Sequence, residues 1–289
     1  MQPSPIVTLV RAGRERLERH GVPNALHNAE WMLSELFGCE RADLYLHADT
    51  PIEPALVARF DEWIGRRCRR EPLQYILGSI EFMSFRFAIV PGVFIPRFET
   101  ELLVEWTERA MRSRGISGRG SVLDLCSGSG VIILSLLLRN LELTGMGVEH
   151  NPDAVSLAIR NAGLHGLGGR VSFMQDDASR YLEHANESFT LITANPPYIP
   201  ADDLARLAPE IRGFEPMDSL DGGPDGLDFY RTVLPLLPSR LAAGGVVAME
   251  IGAGQGEAVS AMMRAAGLVD VAVHTDYAGF ERAVIACAS

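Results

Sequence analysis

The chain has 289 residues, 47% of them hydrophobic, and a formal net charge of −11. It can therefore bury a sizeable core, and its acidic balance argues against non-specific phosphate binding. It contains no Lys, which excludes a Schiff-base lysine, a Walker-type phosphate lysine and a lysine general base.

The first 78 residues read as helical. Apolar residues recur at helical spacing over 6–17 and again over 25–37, with Asn24 placed to cap the second helix and Gly38 to end it. A third run, 54–70, follows Thr50-Pro51 and closes on Arg66-Arg67-Cys68-Arg69-Arg70. That cluster suits a solvated helix end, the alternative being a docking patch. Alternation over 80–90 predicts a strand or hairpin. The loop Ile95-Pro96-Arg97-Phe98-Glu99-Thr100-Glu101 then leads into a helix over 101–111, with Thr100 as its cap and Arg97 and Glu101 either partners of each other or substrate contacts.

From residue 121 the pattern changes. Apolar strand-like runs at 121–126, 144–149, 170–175, 189–194 and 245–251 alternate with helical stretches at 130–139, 152–165 and 229–241. This predicts an α/β fold with a mostly parallel sheet. Two further strands, 269–275 and 282–288, lie close enough for an antiparallel hairpin at the sheet edge, making seven. The chain divides into a helical segment 1–78, a β-hairpin linker 79–92 and an α/β segment 93–289. Cys39, Cys68, Cys126 and Cys287 show no ligand or disulfide spacing, and no metal is expected. No apolar stretch reaches membrane-spanning length. The first residues lack a secretory pattern, so a cytoplasmic chain is expected, with no membrane partner.

Asp124-Leu125-Cys126-Ser127-Gly128-Ser129-Gly130 carries a strand into a glycine turn and a helix. Glycines let the backbone approach a ligand. Ile133 stands where a dinucleotide motif wants its third glycine, so that pattern fails. Glu149 ends the next strand, where an acid can accept from both ribose hydroxyls of a nucleoside. Asp177, after the third strand, falls near where adenine would lie, with Asp176 as its rival.

Asn195-Pro196-Pro197-Tyr198 follows the strand 189–194 directly. Two prolines stiffen the turn and remove donors. Its carbonyls and the Asn195 side-chain oxygen can serve as acceptors for a planar NH2 group, and Tyr198 offers an aromatic face to pack on it.

The glycine turn, Glu149 and Asn195-Pro196-Pro197-Tyr198, in that order, resemble an S-adenosylmethionine-dependent methyltransferase acting on a planar amino nitrogen. Glu71-Pro72-Leu73-Gln74-Tyr75-Ile76-Leu77-Gly78, the 95–101 loop, Leu220-Asp221-Gly222-Gly223-Pro224-Asp225-Gly226-Leu227 and Glu250-Ile251-Gly252 resemble the release factor glutamine N5-methyltransferase family over nearly the whole chain. The resemblance implies a seven-stranded Rossmann-like methyltransferase sheet preceded by a small all-helical substrate-recognition domain. It implies methyl transfer from S-adenosylmethionine, leaving S-adenosylhomocysteine, to the side-chain amide nitrogen of glutamine in the Gly-Gly-Gln loop of a peptide chain release factor. Asn195, Pro196 and Tyr198 would be catalytic, and Asn195, Pro196, Pro197 and Tyr198 would hold the substrate. Asp124, Cys126, Ser127, Gly128, Ser129, Gly130, Glu149, Asp177, Ala178 and Asn195 would line the cofactor site. Two positions depart from the family: Cys126 stands where Gly is usual, and Ala178 where an aromatic residue is frequent. The alternatives are a ribosomal-protein glutamine, an adenine-N6 DNA methyltransferase and a non-catalytic binding module. The net charge opposes direct nucleic-acid binding. A monomer is expected.

Overall fold

The computed structural model describes residues 5–46, 52–116 and 118–289. Thr50-Pro51 lies outside the described residues. Two compact units emerge: residues 1–79 together with 208–214, and residues 80–207 together with 215–289. Residues 208–214, which a linear division puts in the 93–289 segment, group with the helices.

The first unit contains α1 (Pro5–Arg19), α2 (Ala25–Phe37), α3 (Asp43–Leu46), α4 (Pro54–Cys68), α5 (Leu73–Leu77) and a short helix at Pro209–Phe214. Ile6, Val10, Gly13 and Leu17 form the buried stripe of α1, the i, i+4, i+7 pattern of an amphipathic helix. A Cβ on Gly13 would stand 2.8 Å from the Phe60 ring, so glycine lets α1 approach α4 closely. Gly38 ends α2 in the left-handed region at φ 62, donating its N–H to the Glu35 carbonyl. Asn24 is itself left-handed and makes no side-chain capping bond, correcting the expected role.

The arginine cluster is neither a solvated end nor an open patch. Arg66 donates to Glu71 at 2.9 Å. Arg67 is 5% exposed and donates to Asn28 Oδ1, the Glu71 carbonyl and Glu210 Oε1. Arg70 reaches the other Glu210 oxygen at 2.7 Å. Only Arg69 of the four is exposed.

The second unit opens with a hairpin, β1 (Ser79–Phe82) and β2 (Phe85–Ala88). Met83 and Ser84 both have positive φ, 53 and 64, as the tightest hairpin turns require. α6 (Glu99–Ser113) follows, then β3 (Arg119–Leu125), α7 (Val131–Arg139), β4 (Glu142–Glu149), α8 (Pro152–Leu164), β5 (Val171–Gln175), α9 (Ala178–His184), β6 (Phe189–Ala194) and α10 (Ala201–Leu204). The helix at Pro209–Phe214 is α11. After it come α12 (Asp228–Val233), a 3-10 turn at Leu234–Ser239, β7 (Leu241–Glu250), α13 (Gly256–Ala265), β8 (Val269–Thr275) and β9 (Glu281–Cys287).

α6 starts earlier than expected and contains Thr100, which is therefore not its cap. The helix expected over 229–241 stops at Val233. Pro235 and Pro238 remove backbone donors, and the chain continues as the 3-10 turn.

The seven strands form one sheet in the order β5-β4-β3-β6-β7-β9-β8, with β9 antiparallel to both neighbours and the other pairings parallel. Successive strand residues enter opposite cores. Val122, Leu191, Val246, Ala248 and Ile285 pack on the α6, α7 and α8 side. Leu123, Ile192, Val247, Met249 and Val284 pack on the α9, α12 and α13 side. Burial on both faces of the central strands β3, β6 and β7 explains why they read as continuous apolar runs, whereas β5 and β8 at the sheet edges stay largely exposed. Among the described residues, no helix is long and apolar enough to cross a membrane.

Candidate active site

Strand register places the expected residues along one edge. Leu125 pairs with Val148 of β4 and with Ala194 of β6, and Ala194 pairs with Met249 of β7. The next residues, Glu149, Cys126, Asn195 and Glu250, therefore leave the sheet side by side at its carboxyl edge. Strand order reverses between β3 and β6, where open α/β sheets bind ligands.

The glycine loop is shaped by left-handed backbone. Gly128 and Gly130 have φ 54 and 82, and Cys126 adopts φ 55. A side chain in that region is strained by about 1–2 kcal/mol, a cost that a glycine in place of Cys126 would avoid. Burial pushes the Cys126 thiol well up, so it stays protonated. No atom lies within 4 Å of where a Gly128 Cβ would project. Asp124 is fully buried, and its Oδ1 accepts from the Thr193 hydroxyl at 2.6 Å. Burial pushes its carboxyl up to about 7. Asp124 Oδ2 and the hydroxyls of Ser127 and Ser129 are buried without partners among the described residues. Unpaired buried polar atoms are unfavourable by about 1–3 kcal/mol each, so three at one loop mark a place for further polar partners.

Glu149 is 6% exposed. Its Oε2 accepts from Gly128 N–H and its Oε1 from Asn151 N–H, both at 2.9 Å, tying the glycine loop to the end of β4. His150 bridges Glu149 and Asp218, at 3.1 and 2.9 Å. The bond to Glu149 leads in raising its pKa to about 9, so it is a cation at neutral pH. Asp177 caps α9: its Oδ1 accepts from the N–H groups of Ser179 and Arg180 and from the Ser179 hydroxyl. Asp176 pairs with Arg180 instead. Ala178 is buried, its side chain belonging to the core beneath α9.

At the corner after β6, Asn195 Nδ2 donates to Thr100 Oγ1 at 3.2 Å. Among the described residues no donor reaches Asn195 Oδ1 or the Pro196 carbonyl. Pro196 is buried and Pro197 half-buried. The Tyr198 hydroxyl donates to Glu250 Oε1 at 3.0 Å, and burial together with that carboxylate pushes the phenol pKa up. Tyr198 also packs against the α12 and α13 side of the core.

Residues 8–78 match the PrmC N-terminal domain, and residues 122–214 match a methyltransferase domain. A release factor glutamine methyltransferase from Geobacter sulfurreducens is 41% identical over 271 residues, covering 94% of this chain and 92% of the relative. The chain belongs to the release factor glutamine methyltransferase family. Its relative of that name from Rhodospirillum rubrum is 36% identical, over 96% of this chain and 83% of the other. A solved ribosomal protein L11 methylase from Lactobacillus delbrueckii subsp. bulgaricus is 20% identical with a TM-score of 0.47, over 68% of this chain and 82% of that one.

This member of the release factor glutamine methyltransferase family holds its Asn-Pro-Pro-Tyr corner with residues that sequence reasoning gave no such role. Gln255 Nε2 donates to the Tyr198 carbonyl at 3.0 Å. Ile199 exchanges backbone bonds with Leu220 and Gly222. A Cβ on Gly226 would stand 2.3 Å from the Tyr198 carbonyl oxygen, and one on Gly222 2.8 Å from Tyr198 Cα. The glycines of 220–227 thus give the backbone access to the corner, a packing signal that the sequence shows only as an unexplained Gly-Gly-Pro-Asp-Gly run. Arg97 pairs with Glu215 at 2.7 Å and Glu101 accepts from the Met83 N–H, correcting the expected Arg97–Glu101 pair.

Proposed function

We propose that the chain transfers a methyl group from S-adenosylmethionine to the side-chain amide nitrogen of glutamine in the Gly-Gly-Gln loop of a peptide chain release factor. The observation that carries this reading is the Asn195 amide: its nitrogen is engaged by Thr100, leaving its oxygen as an acceptor beside the glycine loop.

The residues present fit the nucleoside. Asp124 Oδ2, Ser127 Oγ and Ser129 Oγ are buried polar atoms awaiting partners, and the space beyond Gly128 is open. Glu149 Oε2 accepts one backbone bond and keeps a lone pair for a ribose hydroxyl, whereas Oε1 is shared by the Asn151 N–H and His150. Asp177 Oδ2 and the Ala178 N–H carry no bond among the described residues and are the groups left for adenine. The Cys126 and Gly130 backbone completes the loop. When bound, S-adenosylmethionine supplies a methyl group on a positively charged sulfur whose departure leaves a neutral thioether.

The chain's own work is positioning. A carboxamide nitrogen is a weak nucleophile because its lone pair is delocalised. Asn195 Oδ1 and the Pro196 carbonyl accept its two hydrogens, fixing the lone pair and stabilising positive charge as it develops on nitrogen. The two prolines keep those acceptors from rearranging, and Tyr198 packs on the amide plane. The nitrogen needs no side-chain base, because its proton can leave after transfer.

Incubation with labelled S-adenosylmethionine and, separately, release factor, ribosomal protein and DNA tests the assignment. Label on the release factor Gly-Gly-Gln glutamine supports it; label on either of the other acceptors alone refutes it. The net charge of −11 and the absence of Lys favour the protein acceptors over DNA. The chain is expected to act as a monomer in the cytoplasm, without nucleic-acid or membrane partners.

A further inference from the structure

We propose that His150 competes with the ribose of the cofactor for one oxygen of Glu149, and that it yields that oxygen by falling back on Asp218. The inference rests on the ribose-acceptor role given to Glu149 above and extends it to what that role displaces.

A carboxylate offers two lone pairs on each oxygen. Glu149 Oε2 uses one of its pair on the Gly128 N–H at 2.9 Å. Oε1 accepts from the Asn151 N–H at 2.9 Å and lies 3.1 Å from His150 Nδ1. One oxygen is half used and the other is full. A ribose presents two neighbouring hydroxyls, and an acid at this strand end serves both only if each oxygen has a lone pair to give. One partner of Oε1 must therefore leave. The Asn151 N–H belongs to the backbone that opens α8, and the Asn151 side chain caps that helix and donates to the Gly92 carbonyl at 3.0 Å. It cannot yield without moving a helix. The imidazole can, because it is a half-exposed side chain that already touches a second acid: its Nε2 lies 2.9 Å from Asp218 Oδ2.

Protonation decides how firmly the ring holds on. An imidazolium donates from both nitrogens and can keep both acids, whereas a neutral imidazole has one N–H and can donate to only one. The charged groups facing the ring are Glu149 at the end of β4 and Asp218 on the 217–219 turn; from β5, Gln175 brings only a neutral amide, to the His150 carbonyl. Both acids favour the cation, Glu149 foremost, and the pKa is raised to about 9. Once a ribose hydroxyl takes Oε1, Asp218 alone retains the proton. The pKa then falls, so binding expels part of a proton at pH values near 9. A His150 that merely supported Glu149 would give the opposite sign: its removal would weaken binding, and binding would expel no proton from it.

The test is titration calorimetry of the full chain with S-adenosylhomocysteine and, separately, S-adenosylmethionine, with thermal unfolding to confirm that each variant folds. His150→Ala is expected to bind both ligands about three- to fivefold tighter than the parent at pH 7, the worth of a half-exposed ion pair. S-adenosylhomocysteine has no sulfonium, so tightening confined to S-adenosylmethionine would report repulsion between two cations and overturn the proposal. The advantage of the variant should shrink as pH rises from 7 to 10. Near pH 9, titrations in buffers of different ionisation enthalpy should show the parent releasing more protons on binding than the variant. His150→Gln, which has no titrating proton, should lose that extra release in the same way and serves if His150→Ala does not fold. Unchanged or weaker binding in His150→Ala, or equal proton release in parent and variants, would overturn the competition while leaving Glu149 as the ribose acceptor. A parent protein that binds neither ligand would overturn the proposed function and the competition with it.

Discussion

Residues 124–130 carry the turn, its left-handed backbone and its unpartnered polar atoms in one short stretch, with Glu149, Asn161 and Thr193 as outside anchors. The corner at 195–198 is held from outside. Thr100 comes from α6, Glu250 from the end of β7, Gln255 from the turn after it, and Gly222 and Gly226 from a separate loop. The first region keeps polar groups open for a small molecule. The second is anchored through the Asn195 nitrogen, the Tyr198 hydroxyl and the Tyr198 carbonyl, as expected where a reacting group must be held still. The loop's distinguishing features are contiguous in sequence, whereas the partners of the orienting corner come from distant parts of the chain.

Removing the acceptor should separate the two regions most sharply. Asn195→Ala is expected to lower kcat by about 10²- to 10³-fold while Kd for S-adenosylmethionine, read by titration calorimetry, changes by less than about threefold. A parallel loss of cofactor binding would merge the regions into one. Next in size, Gly226→Ala places a Cβ against the Tyr198 carbonyl at a residue with φ 77, displacing the corner without touching the loop. Its kcat should fall about 10- to 100-fold, since a shift of about 1 Å is worth about that much. Gly128→Ala, also left-handed but facing open space, should instead weaken cofactor binding and leave kcat at saturation nearly unchanged. Glu149→Gln should weaken S-adenosylmethionine about tenfold, the effect of losing about 1.4 kcal/mol of charge-assisted bonding, with kcat again largely preserved.

The smallest effect is on stability. Asp124 and Glu250 are buried acids with pKa values raised to about 7. The folded state favours their protonated forms, so the stability they contribute falls as pH rises from their unfolded values toward 7. His150 is raised to about 9, and its contribution, fully present below about 6.5, is lost as pH rises through 9. All three act in one direction. The thermal midpoint should be higher at pH 6 than at pH 9 by several degrees, about 2–4 °C per kcal/mol, and Glu250→Gln should shrink that difference.

Much of this was legible in advance. The central strands announce themselves because both their faces are buried, and the glycine turn and the Asn-Pro-Pro-Tyr corner are contiguous. What stayed hidden depends on residues distant in sequence. Thr100 looks like a helix cap and is the amide's partner; Arg97 finds Glu215 rather than Glu101; the arginines closing α4 look solvated and are engaged by Glu71 and Glu210. For Thr100 and Arg97 the local pattern supplied a plausible near role and tertiary pairing chose a remote partner; Arg67 and Arg70 likewise find remote Glu210, whereas Arg66 pairs with nearby Glu71. The helix expected over 229–241 is a different error, since its prolines were visible and local chemistry should have stopped it.

Glu210 carries one more consequence. It is gripped by Arg67 and Arg70 although some 140 positions separate it from them along the chain. The N-terminal helices therefore cannot be exchanged between relatives as a simple cassette. A chimaera joined near residue 80 to a chain without an acid at the position of Glu210 would strand a nearly buried guanidinium without its counter-ion unless 208–214 travelled with the helices, and grafting the two pieces together should restore what either transplant alone loses.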